Sequence, residues 1–147
     1  MKLSTRTRYG VRALVDIALH NGEKGPVQLK DIAEREEISD KYLEHLMSIL
    51  KGAGFVRSVR GAHGGYLLAK RAADVNLCEV VSVLEGSLAP AECVADADVC
   101  HRSSFCVTRD VWGEVQQVIN DVLKSITLED LCQREREKRQ LGDMYYI

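Results

Sequence analysis

Apolar residues recur every three or four positions along most of the chain and alternate every second position over one short stretch, a pattern that predicts a mainly α protein with one small β-hairpin. Leu29, Ile32 and Ala33 open a short helix that turns through Glu36, Glu37 and Ile38. A second helix restarts at Ser39, a hydroxyl N-cap followed by an acid at Asp40, and runs to about Leu50. Tyr42, Leu43, Leu46, Met47 and Leu50 make its buried stripe, so Ser39, Lys41, Glu44, His45, Ser48 and Lys51 face outward. Lys51 to Gly54 ends the helix, Phe55 to Arg60 alternates as a strand, Gly61-Ala62-His63-Gly64-Gly65 turns, and Tyr66-Leu67-Leu68 returns. Two helices joined by a tight turn and followed by a hairpin form a winged helix-turn-helix, in which the second helix can lie in a major groove while the first braces it. Arg60 enters a turn whose glycines allow close backbone approach to a narrow minor groove; an ordinary solvated hairpin carries the same glycines.

The flanking segments complete the picture. Ser4 or Thr5 caps a first helix through His20, with Tyr9, Ala13, Leu14, Ile17 and Ala18 buried and Asn21-Gly22 as its stop. Arg6, Arg8 and Arg12 project from it, either toward phosphates or into solvent. After the hairpin, Asp74-Val75-Asn76 leads into a helix with Leu77, Val80, Val81 and Leu84 on its apolar face; Cys78 beside that face reads as a small buried residue. From Ser87 to Phe105 periodicity disappears, which predicts a loop. A long helix from about Thr108 to Ile126 carries Val111, Trp112, Val115, Val118, Ile119 and Val122 on one face, more than one small domain can cover, so it predicts a homodimer. Thr127 caps a last helix, whose alternating charges from Arg134 to Arg139 read as a solvated face, and Cys132 near its start reads as packing. The expected organisation is a DNA-binding domain over 1–86, a cysteine-containing loop over 87–107, and a dimerisation helix plus C-terminal helix over 108–147.

Charge strengthens the DNA reading only through its distribution. The net charge is -2, yet residues 1–70 hold twelve Lys and Arg against eight Asp and Glu, while residues 71–147 hold eight against fourteen. No run is apolar enough to span a bilayer, and Met1-Lys2-Leu3-Ser4-Thr5-Arg6 lacks the apolar core of a signal peptide, so the expected location is the cytoplasm. Five cysteines there suit thiols or ligands better than disulfides.

Cys93, Cys100 and Cys106 are spaced C-x6-C-x5-C in the aperiodic segment. Structural zinc sites favour tighter pairs and a redox pair reads Cys-x-x-Cys, whereas an iron-sulfur cluster tolerates wide spacing on irregular backbone. A fourth ligand is left open among His101, Glu92, Asp96, Asp98, Cys78 and a ligand from outside; zinc, or no metal at all, is the competing reading. Thiol redox catalysis would need a close base or a resolving pair, and neither accompanies the triad, so an enzyme is not expected.

Lys2-Leu3-Ser4-Thr5, Arg8-Tyr9-Gly10, Ile38 to Glu44 and Ser58 to Leu68 resemble the winged-helix regulators that include IscR, NsrR and CymR. Leu128-Glu129-Asp130-Leu131 and Met144-Tyr145-Tyr146-Ile147 resemble the CymR branch, and the cysteine triad resembles the IscR branch. The resemblance implies a homodimer on a palindromic operator, with Ser39, Lys41, Tyr42, Glu44, His45 and Ser48 in the major groove and Arg60, Gly61, His63 and Gly64 of the wing at the minor groove. It further implies a [2Fe-2S] cluster on Cys93, Cys100 and Cys106 that gates DNA binding; the CymR branch implies instead a cluster-free repressor controlled by a partner such as cysteine synthase. Two positions depart from the pattern. Arg109 stands where the IscR branch has a histidine ligand, and Arg8 stands where the NsrR branch has an aspartate.

Overall fold

Ser4 begins the first helix by accepting a hydrogen bond from the Thr7 N–H at 3.2 Å, and helix α1 runs Thr5–His20. The computed structural model describes residues 1–21 and 25–145; Gly22 of the expected helix stop, and Tyr146 and Ile147 of the CymR-like ending, lie outside the described residues. Helices α2 (Leu29–Glu36) and α3 (Asp40–Gly52) are joined through Glu37, which takes the left-handed conformation at φ 55°. Strands β1 (Val56–Val59) and β2 (Gly65–Leu68) pair antiparallel, with Val56 opposite Leu68 and Val59 opposite Gly65. A short 3-10 turn, Ala72–Asp74, leads to α4 (Leu77–Glu85), capped by Asn76. Then come α5 (Glu92–Ala95), a 3-10 turn at Ala97–Val99, α6 (Val107–Lys124) and α7 (Leu128–Tyr145). The fold is therefore mainly α, with a small antiparallel wing and a long helix of the kind used for dimerisation.

One hydrophobic core joins α1, α2, α3, α4 and the start of α7, through residues such as Leu14, Ile17, Ile32, Leu43, Leu46, Leu50 and Leu84. Burying each such side chain contributes about 1.5–3 kcal/mol relative to exposure. Helices α1 and α4 cross closely because position 10 is glycine: a Cβ there would stand 2.6 Å from Leu84 Cδ1. The crossing is tied at its end by Glu85, which accepts from Ser4 N at 3.0 Å, Ser4 Oγ at 2.7 Å and Thr7 Oγ1.

The wing is fixed to the helix-turn-helix rather than hanging free. Val27, just ahead of α2, exchanges backbone hydrogen bonds with Tyr66 of β2 at 2.9 and 2.8 Å. Gly65 permits that approach, since its φ is 152° and a Cβ would meet the Val27 carbonyl oxygen at 2.4 Å.

Two expectations need correction. The segment from Ser87 to Phe105 is not simply a loop: Glu92–Ala95 forms a single helical turn, and Arg109 of α6 donates to the Cys93 carbonyl at 2.8 Å, supplying the order that apolar periodicity does not. Cys78 is half-exposed, because the apolar face of α4 that reaches the core is Val80, Val81 and Leu84, and Cys78 lies at its margin. Cys132, by contrast, is buried, with its thiol directed at the Val15 carbonyl and its pKa raised by desolvation. Among the described residues no helix is long and apolar enough to cross a membrane.

Candidate nucleic-acid interface

The second helix of the helix-turn-helix presents a polar face because its cap and its buried stripe fix its rotation. Ser39 accepts from the Tyr42 N–H at 3.3 Å, and Leu43, Leu46, Met47 and Leu50 are fully buried. Lys41, Glu44, His45 and Ser48 then fall at three-and-four spacing on one exposed side, with exposed Ser39 at its head. Tyr42 differs from these. Its ring is half-buried, edge-on to Tyr9 of α1 at 6.2 Å and tilted against His45 at 6.4 Å, so it braces the exposed face against α1.

In the wing, Arg60, Gly61 and His63 are exposed, and Gly64 closes the turn by donating to the Gly61 carbonyl at 3.0 Å. Arg57 on β1 is exposed as well. It is absent from the sequence-based set, although a charged residue between two valines of a wing strand is itself a signal of an outward position.

The three arginines of α1 do not behave alike. Arg6 donates to the Leu84 carbonyl at 2.8 Å, and Arg12 donates to the Glu36 carboxylate at 3.1 Å and to the Glu36 carbonyl. Both are occupied within the protein, so neither simply projects. Among the described residues Arg8 makes only a long 3.4 Å bond to Thr5 and lies over the Tyr9 ring, which leaves it the arginine of α1 most available to a phosphate.

Cys93 stands in α5, Cys100 follows the 3-10 turn, and Cys106 holds the N-cap position of α6; all three are half-exposed thiols. The hydroxyl of Thr108, 3.2 Å away, and then the Arg109 N–H hold the Cys106 thiol below its ordinary pKa. Arg109 itself is turned to the Cys93 carbonyl, so it ties α6 to α5. His101, Glu92, Asp96 and Asp98 are exposed, and Asp96 accepts from the Asp98 N–H. Among the described residues no three His, Cys, Asp or Glu side chains are grouped to hold a metal ion.

On α6 the expected seam stands open. Val111, Trp112, Val115, Val118 and Val122 are exposed, with Val118 at 62% and Val122 at 52%, while Ile119 is half-buried. The helix starts one residue earlier than expected and ends at Lys124, after which Ile126 and Leu128 pair with Leu77 and Val75 and carry the chain back to the body.

Comparison with known proteins fits this geometry. The family described as "Rrf2: Iron-dependent Transcriptional regulator" matches residues 3–134. Protein rrf2 of Nitratidesulfovibrio vulgaris is 49% identical over 131 residues, 89% of this chain and 87% of that protein. The structure of CymR, described as the global cysteine regulator of B. subtilis, superposes with a TM-score of 0.76 at 37% identity, covering 91% of this chain and 98% of that one. The structure of T. potens IscR gives 0.77 at 45% identity, covering 94% and 90%. The chain belongs to the Rrf2 family and is a winged-helix DNA-binding transcription regulator, not an enzyme.

Proposed function

We propose that the chain acts as a homodimeric repressor that reads a palindromic operator, with α3 in the major groove and the wing arginine in the minor groove. The observation that carries this reading is the free polar face of Ser39, Lys41, Glu44, His45 and Ser48 on a helix whose other side is locked into the core. Glu44 can accept from cytosine N4 while repelling phosphates, so it discriminates bases more than it adds affinity. Dimerisation is supported by the uncovered stripe of α6, and two copies of α3 in one dimer match two half-sites. Gel-shift titration of a selected operator tests the assignment. Arg60→Ala is expected to weaken binding by about 1–3 kcal/mol and to lower preference for A·T steps beside the half-site. Unchanged isotherms for Arg60→Ala remove the wing from the interface.

For control of binding, the cluster-free reading is the better supported. The thiols of Cys93, Cys100 and Cys106 are not grouped as ligands, and the similarity to CymR extends over 100% of both chains at 37% identity. In that reading a protein partner such as cysteine synthase acts on the C-terminal helix, whose exposed Leu141, Met144 and Tyr145 offer apolar contact. Co-sedimentation of the dimer with purified cysteine synthase tests the partner. The iron-sulfur reading stands second, on the description of the family as iron-dependent. It requires the segment from Ala91 to Cys106 to rearrange. Anaerobically purified protein with visible charge-transfer bands and matching iron and sulfide reverses the order, as does an operator affinity that changes when all three cysteines are replaced by serine.

A further inference from the structure

The body of the protein carries a concavity that lies apart from the polar face of α3 and from the wing. An open groove of about 480 Å³ runs between α1 and α7, with the end of α2 on one side. Val11, Val15 and Leu131 supply its aliphatic surface. The volume is in the range of sites for small organic ligands.

The charges around it do not cancel. Glu36 is held by Arg12 at 3.1 Å, and Glu135 is held by Arg139 at 2.9 Å. Asp130, the carboxylate one turn before Arg134, accepts from the Thr127 N–H at 2.8 Å and feels the Arg134 charge without forming an ion pair with it. Arg134 and Lys138, four residues apart on α7, make no ion pair among the described residues, yet both line the groove. Two cations without an ion-pair partner beside an aliphatic surface select for a ligand that is negative at one end and apolar at the other.

We propose that this groove binds an amphipathic organic anion, a carboxylate or phosphate monoester with a short apolar body, and that its occupancy reaches the recognition helix. The second part rests on the operator-binding reading. Arg12 is the link. It lines the groove, and its guanidinium caps the last residue of α2 at the Glu36 carbonyl and lies 5.1 Å from the Tyr9 ring that supports Tyr42. Glu37, the left-handed turn residue, follows Glu36 directly and leads into the Ser39 cap of α3. An anion in the groove competes with Glu36 for Arg12, and so acts on the turn that sets the pose of α3.

The test uses the full-length dimer and the fluorescent sulfonate 8-anilinonaphthalene-1-sulfonate. Saturable binding near one probe per protomer is expected, displaced by octanoate or octyl phosphate but not by octylamine; the stronger competitor identifies the headgroup. Arg134→Glu and Lys138→Glu, both at exposed positions, should each weaken the probe by at least about tenfold while circular dichroism and sedimentation stay unchanged. Equal displacement by octylamine overturns the proposal. So does undiminished binding in the two variants, which would place the probe elsewhere, or absence of saturable binding to the dimer, which would mean that the partner covers the groove. Operator affinity is then compared with and without the better competitor. A shift of threefold or more that disappears in Lys138→Glu is expected, and no shift overturns the coupling. Failure of the ligand-free wild type to bind any operator would instead strike at the operator-binding reading.

Discussion

Asp16 is 1% exposed on α1, where a charge would be prohibitive without a partner, and Arg35 of α2 supplies one with two hydrogen bonds at 2.8 and 2.7 Å. The pair raises the Arg35 pKa, chiefly through those bonds, and pins the scaffold helix to the first helix of the DNA-binding motif. Asp16→Ala should cost about 1.5–3 kcal/mol in urea unfolding, because it removes two charge-assisted hydrogen bonds and leaves behind only a solvent-accessible arginine. A loss below 1 kcal/mol would show that water replaces the carboxylate at no cost. The sequence marks Asp16 as an intruder among Ala13, Leu14 and Ile17 but cannot name a partner 19 residues away. Glu85 is a second residue of this kind. Bonds from the hydroxyls of Thr7 and Ser4, and from the Ser4 N–H, hold its carboxyl below the usual carboxylate range. A folded pKa below the unfolded one means that this stabilisation is present above the ordinary glutamate pKa and is lost as pH falls through the folded value. Wild type should therefore exceed Glu85→Gln in stability at neutral pH by a constant margin that closes on acidification below the ordinary glutamate range. A margin independent of pH would assign the effect to packing.

Among the elements, α3 was the most legible because its cap, its spacing and its glycine stop all agree, and the observed helix differs by two residues at its end. The wing was legible for the same reason: an alternating run bounded by glycines has few alternatives. The helical turn of α5 was not legible. Four residues have no measurable period, and the hydrogen bond that holds them comes from Arg109 in another element. The cysteine spacing conveyed that three thiols share a segment, but not that each would sit on a different local element, Cys93 in α5, Cys100 after the 3-10 turn and Cys106 at the start of α6. For α6 the periodicity gave the stripe, and burial shows that this chain alone does not cover it. Val118→Glu combined with Val122→Glu places charges in that stripe and should convert the dimer to monomers in sedimentation velocity, with helix content retained. A double variant that still sediments as a dimer assigns the interface to another surface.

At the scale of the whole molecule, a net charge of -2 offers little long-range attraction to DNA, so affinity must come from geometry and from local cations. The described cations of the reading surface are few: Lys41 and Lys51 on α3, Arg57 and Arg60 in the wing, and Arg8 on α1. One protomer with so few phosphate contacts binds weakly at physiological salt. If two protomers join through α6 as proposed, the second half-site contact becomes intramolecular, which raises affinity by about 10²–10⁴-fold only when both copies of α3 can reach their grooves together. This makes half-site spacing the most searching test of the assembly. Inserting five base pairs at the operator centre turns one half-site to the opposite side of the duplex and should forfeit most of that gain. Inserting ten restores the facing but lengthens the separation by about 34 Å, which a rigid dimer cannot span. Binding to the ten-pair insertion as tight as to the native spacing would mean that the two DNA-binding regions move freely about α6. Equal binding to all three operators would show that the protein reads half-sites one at a time, and the dimer would lose its role in recognition.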